Sequence, residues 1–416
     1  MTNNWEVKIL GEVAEFQQGL QIAKNKRLNT KAEGTLPLLK ITDMISGNFP
    51  EFIKIKEIPA SVIALNNDII LTRTGQVGFI FTNLNGVVHN NCFKVIPDNK
   101  KADRLFIYYY LKSPNVQSFI RSVASGSAQP DLTHKAFRHC PISLPPLPTQ
   151  KKIGYILSNY DDLIENNTRR IKILEEMAQT LYHEWFVKFR FPGHEQVKMV
   201  EYSWEKIKIK IKDLPIQIID GDRSKKYPKS DEFQTQGILF LNTKNIVDNK
   251  LDLQEANYIT LEKFSEITKG RVQPLDIVMT TRGSIGKLAL FNCEYLTGLI
   301  NAQMLILRAD NKSINQLFLF YLMSSEEFQE IIKSFASGSA QPQIPIQDLK
   351  QIEIICPPIE LQNKFSDFTL SINQFIKNLQ IKNKNLRATR DLLLPKLISG
   401  EIDVENLEID TVEIAA

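Results

Sequence analysis

Ser125-Gly126-Ser127-Ala128-Gln129-Pro130 recurs unchanged as Ser337-Gly338-Ser339-Ala340-Gln341-Pro342, 212 positions later. That recurrence decides the fold, because self-similarity over so long a period means two copies of one structural unit. At the same offset Leu105-Phe106-Ile107-Tyr108-Tyr109-Tyr110-Leu111 faces Leu317-Phe318-Leu319-Phe320-Tyr321-Leu322-Met323. Upstream, Asp68-Ile69-Ile70-Leu71-Thr72-Arg73-Thr74-Gly75 matches Asp276-Ile277-Val278-Met279-Thr280-Thr281-Arg282-Gly283 at 208, and Trp5-Glu6 matches Trp204-Glu205 at 199. Surface loops of unequal length account for the drift.

Each copy has two unlike parts. The first is a mixed α+β module of short β-branched and aromatic runs, such as Pro37 to Thr42 and Gly237 to Leu241, broken by Gly, Asn, Asp and Pro. Within it, Lys206 to Lys212 alternates strictly, putting Ile207, Ile209 and Ile211 on one strand face and Lys206, Lys208, Lys210 and Lys212 on the other. Those lysines either guard an edge strand or contact phosphates.

The second part is a long helix. After Pro148 the apolar seam is Ile153, Ile156, Tyr160, Leu163, Ile171, Leu174, Ala178 and Leu181; after Pro358 it is Phe365, Phe368, Ile372, Phe375, Leu379, Leu386 and Leu393. Three-four spacing over four to five heptads is a coiled-coil pattern, so the two helices can pair. Phe191-Pro192-Gly193 closes the first, and Pro395 is expected to stop the second near Leu394. About 35 residues at 1.5 Å each make a spacer of roughly 50 Å. Parallel and antiparallel pairing are both open on chain grounds, and a twofold relation between the copies would require the antiparallel form. Asn167 and Asn383 are the polar interruptions, expected at one level as a buried pair fixing register.

The composition is ordinary for a globular protein: 416 residues, 43% hydrophobic, 24% charged and 9% aromatic, which excludes a disordered or collagen-like chain. No apolar run approaches the roughly 20 residues that span a bilayer, and no secretory signal precedes Trp5, so a cytoplasmic, non-membrane protein is expected. Cys92, Cys140, Cys293 and Cys356 are too dispersed for a zinc pattern or a disulfide scaffold. The net charge of +4 hides an asymmetry, because the six acidic residues after Lys396, with no basic one, leave +10 on residues 1–396.

Catalytic signatures are missing. Gly286-Lys287 lacks the first glycine and the Ser or Thr of a phosphate-binding loop, and His183-Glu184 is followed by Val187 where a zinc-protease helix needs histidine. The Pro-Pro pairs lack the flanks of a base-amine methyltransferase, and Pro130-Asp131 has no companion carboxylates for a nuclease metal site. Neither a metal nor a cofactor is expected.

The glycine-bearing loops are the binding candidates. Thr72, Arg73, Thr74 and Gln76 in one copy, and Thr281, Arg282 and Ser284 in the other, place an arginine among hydroxyls at the end of an expected strand, with Lys206, Lys208 and Lys210 as the basic strand face. Arginine suits bidentate contact with guanine or phosphate, and it can equally be a turn residue. Gly75, Gly78, Gly283 and Gly286 are expected to supply positive φ, while Ser125, Gly126, Gln129, Ser337, Gly338 and Gln341 form structural loops rather than base contacts.

Taken together, the duplicated module, the paired long helices and several local phrases resemble the specificity subunits of type I restriction-modification systems. The phrases are Leu181 to Gly193, Leu393 to Ile402, Thr72 to Gly75 and the repeated hexapeptide. The resemblance implies recognition domains at 1–148 and 194–358, each reading half of a bipartite DNA target. It implies spacer helices at 149–193 and 359–396, packed as an antiparallel coiled coil, with an acidic tail at 397–416. It also implies a non-enzymatic chain whose partners are two DNA methyltransferase subunits and motor-nuclease restriction subunits. S-adenosylmethionine, ATP and magnesium would belong to those partners. The rival reading is a duplicated coiled-coil interaction scaffold that binds no nucleic acid.

Overall fold

The structure is a computed structural model that describes residues 5–126, 129–196, 208–335 and 342–409. Its chain divides into two compact units, one running up to Glu165 and resuming at Asn385, the other spanning Asn166–Lys384. Each unit therefore holds one α+β module and part of each long helix.

In the first module a four-stranded antiparallel sheet has the order Ala14–Gln18, Cys92–Pro97, Ile69–Thr72, Ile80–Phe81. A second sheet has the order Phe52–Lys54, Thr35–Leu39, Gly86–Val88, Ile63–Ala64, with its two central strands parallel. The second module repeats both. Its sheets run Ile216–Asp220, Met304–Ala309, Ile277–Thr280, Leu288–Leu290 and Asn257–Ile259, Ile238–Leu241, Gly298–Ile300, Arg271–Val272, the central pair again parallel. Central strands such as Ile69–Thr72 and Ile277–Thr280 are buried along their whole length, as their continuous apolar runs require. The offset between copies grows from 202 at Leu39 and Leu241 to 208 at Gly75 and Gly283. The hairpin Ile246–Val247 with Lys250–Leu251, turned through left-handed Asp248 and Asn249, occurs in this interval of the second module only.

The alternating lysine segment is shorter as a strand than its pattern suggests. Lys208–Lys210 pairs with Glu353–Ile355, and Ile211 then enters a 3-10 turn that sends its side chain into the core. The counterpart ribbon in the first module is Glu6–Ile9 with Pro141–Leu144.

Helices Arg104–Lys112 and Gln316–Ser324 cover the antiparallel sheets. Asp103 caps the first by accepting from the Phe106 amide, and Asn315 caps the second by accepting from Leu317 and Phe318. Gln150 and Gln362, near the start of the long helices, hold these caps by accepting from the Asp103 and Asn315 amides, each at 2.8 Å.

The first long helix is Leu147–Tyr182, followed by a π turn at His183–Val187 and by Phe189 at φ +58°. The second is Ile359–Ser399 and runs straight through Pro395. Here the expected stop fails for a packing reason. Leu394, Leu397 and Ile398 enter the core of the first unit beside Ile153, Leu157 and Val404. Burying such side chains at about 1.5–3 kcal/mol each offsets the roughly 3 kcal/mol cost of an internal proline.

Within each unit the helix halves pack antiparallel. In the second, Asn167 meets Asn383 while the Trp185 ring lies 6.0 Å from that of Phe365, so one helix rises as the other descends. In the first, Asp161 pairs with Arg390, and Lys152, earlier in its helix, donates to the Glu405 carbonyl at 2.7 Å. The seam differs in detail from the spacing analysis. Leu163, Phe368 and Phe375 are exposed by 46%, 57% and 43%, and their neighbours Ile164, Thr369 and Ile376 are buried instead. Where two apolar residues are adjacent, as in Leu163-Ile164 and Phe375-Ile376, spacing alone does not choose between them.

Candidate nucleic-acid interface

The loop Thr72 to Gly78 leaves a buried strand and turns back through Gly75 and Gly78, at φ +78° and +92°. Its frame is internal. The Thr72 hydroxyl donates to the Gln76 carbonyl at 2.5 Å and accepts from the Phe79 amide at 3.0 Å, while the Gly75 amide donates to the Pro130 carbonyl at 2.8 Å. Gln117 holds the far side by donating to the Gly78 carbonyl at 3.0 Å. Ser125 bridges Asp131 across the left-handed Gly126, at φ +100°, and so completes the support.

Arg73 is committed to this frame. Its guanidinium grips the Asp131 carboxylate through Nε at 3.2 Å and Nη2 at 2.7 Å, and its Nη1 donates to Gln18 Oε1 at 2.8 Å. Thr74 adds a hydroxyl bond to Asp131 Oδ1 at 2.6 Å. Hydrogen bonds from Arg73 and Thr74 hold the Asp131 carboxyl below the usual carboxylate range.

The second loop repeats the backbone and changes the chemistry. Thr280 donates to the Ser284 carbonyl at 2.5 Å and accepts from the Lys287 amide at 3.1 Å. The Gly283 amide donates to the Pro342 carbonyl at 3.1 Å, and Gln329 donates to the Gly286 carbonyl at 3.1 Å. Gly283 and Gly286 have φ +73° and +77°. Arg73 and Thr281 are equivalents, since their carbonyls accept from Leu132 and Ile344 respectively. Thr74 and Arg282 are likewise equivalents, bridged to Asp131 and Gln343. Arg282 is therefore one residue out of step with Arg73: it is exposed and, among the described residues, its guanidinium has no side-chain partner.

Two of the hydroxyl candidates are corrected by burial. Thr72 is 0% exposed and Thr281 is 5% exposed, with the Thr281 hydroxyl donating to the Gln303 carbonyl at 3.0 Å, so both support the loop from within. Gln76, Arg282 and Ser284 are exposed and Thr74 is half-buried. Lys208 is exposed and Lys210 reaches Gln351 at 3.1 Å. They lie beyond the Ile216 end of a strand whose Asp220 end adjoins the loop, so the structure does not gather the lysines with Arg282. Lys206, Ser337, Gly338 and Gln341 lie outside the described residues.

Gln18 and Asp131 join the loop without being marked by residue spacing. Gln18 gives no signal in sequence, whereas Asp131 and Gln343 are the first positions at which the copies diverge after the shared hexapeptide.

The helix pair carries its own polar contacts. In the second unit Asn167 Nδ2 donates to Asn383 Oδ1 at 2.8 Å, and Asn383 Nδ2 donates to Thr168 Oγ1 at 3.2 Å. Ile171, Ile376 and Leu379 form the apolar cluster beside them. Tyr321 accepts from Asn373 Nδ2 at 2.9 Å, and in the first unit the equivalent Tyr109 donates to Asp161 Oδ2 at 2.8 Å. The α+β modules are thus tied to the long helices by matching tyrosines. Among the described residues no group of three His, Cys, Asp or Glu side chains is placed to hold a metal, and no helix is long and apolar enough to cross a membrane.

Comparison with known proteins agrees with the duplication. The type I restriction modification DNA specificity domain family matches residues 2–176 and again 203–389. The type I restriction enzyme MjaVIII specificity subunit of Methanocaldococcus jannaschii is 27% identical over 97% of this chain and 94% of its own length. The MjaIX specificity subunit of the same organism is 25% identical over 97% and 98%. The EcoBI specificity subunit of Escherichia coli is 21% identical over 97% and 87%. The crystal structure of a type I restriction-modification system S subunit from M. genitalium has the same fold, with a TM-score of 0.60 over 95% of this chain and 97% of that one at 17% identity. With both modules matched and the relatives covered nearly end to end, the chain belongs to the family of type I restriction-modification specificity subunits.

Proposed function

We propose that residues 1–148 and 194–358 are two recognition domains, each reading one half of a bipartite duplex DNA target. Residues 149–193 and 359–396 set the gap between the half-sites, and the acidic residues of the C-terminal segment, from Glu401 on, follow the end of the second helix at Ser399. The observation that carries this reading is the pair of loops with one backbone frame and different exposed side chains, within two matches to a DNA specificity family. A duplicated scaffold built only for protein contacts has no reason to vary its loops in that way. The long helices have 36 and 41 residues, about 54 and 62 Å at 1.5 Å per residue, and serve as the ruler.

The chain works without chemistry of its own. Methyl transfer belongs to two methyltransferase subunits docked on the helices, and cleavage belongs to motor-nuclease subunits. S-adenosylmethionine, ATP and magnesium are bound by those partners. The +10 carried by residues 1–396 is modest for gripping a duplex alone, so the partners share the phosphate contacts. The test is binding of the complex with its methyltransferase subunits to a randomised duplex library at several salt concentrations. Enrichment of a two-part sequence, with affinity falling about a thousandfold or more between 50 and 200 mM salt, is expected. Absence of any sequence preference would refute the reading.

A further inference from the structure

The two glycine loops differ where a nucleic acid could touch them. In the first, the outward position is Thr74, and its hydroxyl is spent on Asp131, which Arg73 also grips. In the second, the outward position is Arg282, the residue opposite is Gln343 and not an aspartate, and the position of Arg73 is taken by Thr281, whose hydroxyl turns inward. The surrounding frame is the same in both: the glycine amide on the proline carbonyl, the threonine hydroxyl inside the turn, and the glutamine that fastens the second glycine. The shared frame fixes the backbone from which Arg282, with no side-chain partner among the described residues, and the exposed Gln343 project, so only the side chains themselves remain to be ordered on contact with base edges. Arginine's fork matches the O6 and N7 acceptors of guanine, and glutamine's amide matches N6 and N7 of adenine.

We infer that Arg282 is a guanine-reading residue for the second half-site, with Gln343 contacting the adjoining base pair, while Arg73 is a positioning residue that seals the equivalent place in the first domain. This rests on the DNA-recognition reading above and assigns the two domains different recognition chemistry at one structural position. The half-site read by the second domain then contains a guanine under this loop. No arginine fork from this loop reads the first half-site.

The test is the methylation specificity of the complex with its methyltransferase subunits, on a library randomised at both half-sites, for wild type, R282A, R282K and Q343A. Arg282 is exposed, so these variants keep the fold. The expected result for R282A is a roughly 10- to 100-fold loss of discrimination at one guanine of the second half-site, with the first half-site unchanged. R282K, which keeps the charge but not the fork, should lose the same preference. Q343A should relax the adjoining position. A uniform loss of binding across all sequences, restored by R282K, would overturn the inference in favour of a phosphate contact. An unchanged second half-site would overturn it outright while leaving two-domain recognition standing. A wild-type complex without a bipartite preference would overturn the recognition reading itself, and this inference with it.

Discussion

Asn167 donates from Nδ2 to Asn383 Oδ1 across 2.8 Å, with the two residues only 4% and 3% exposed. Both sit next to the apolar cluster of Ile171, Ile376 and Leu379, so the amides satisfy each other in one register of the helices, and a slip by one turn would bury both beside aliphatic side chains. Replacing one partner leaves an unsatisfied amide. N383L should therefore destabilise the protein by about 1–3 kcal/mol, and N167L/N383L should recover most of that loss. Urea unfolding of the single and double variants, read as a double-mutant cycle, checks this. Additive effects would show that the pair is not coupled.

The Arg73 to Asp131 latch should govern the local opening of the first loop. R73A removes both arms of the grip, and the amides of Gly75 and Leu132, which bond across the latch, should exchange with solvent measurably faster. R73K, with no fork, should restore only part of the protection. In the second domain Q343A should leave Gly283 exchange unchanged, because among the described residues no ion pair closes that loop.

Acid should release the same latch. Arg73 and Thr74 hold the Asp131 carboxyl below its ordinary value, so its contribution is complete above the unfolded pKa of about 3.9 and fades as pH falls through the lower folded value. Exchange at Gly75 relative to Gly283 should be independent of pH from 7 to about 5, after correction for intrinsic rates, and should rise below about 4. In D131N the rise should disappear. A change centred near neutrality would assign the latch to a different group.

The glycines of the second loop should differ in their tolerance of alanine. Both have positive φ, but a Cβ on Gly286 would lie 2.3 Å from Ile332 Cγ2, whereas one on Gly283 meets open space. G283A should cost about 1–2 kcal/mol, the strain of a left-handed alanine. G286A should cost more, because Ile332 must also move from its buried place. Denaturant midpoints of the two variants decide the order.

Much of this architecture could be read from residues alone, for physical reasons. A duplicated sheet leaves a duplicated apolar pattern, so Asp68 to Gly75 and Asp276 to Gly283 announced matching strands and loops. Asn167 and Asn383 stood out because one polar residue on an apolar stripe is conspicuous. Side-chain direction within a loop has no such period. Arg73 and Arg282 stand at adjacent positions of the aligned loops, a shift of one residue whose consequence only the backbone shows, by turning one inward to Asp131 and the other to solvent. At Pro395 local propensity favours a stop, whereas the burial of Leu397 and Ile398 that carries the helix onward rests on contacts distant in sequence.

The central claim is that two modules read two half-sites independently. Its most direct measurement exchanges residues 1–148 for the corresponding module of a type I specificity subunit with a different target, then maps methylated positions across a host genome. The account predicts that one half-site changes, while the other half-site and the gap between them stay as they were. Alteration of both half-sites, or of the gap, would contradict it.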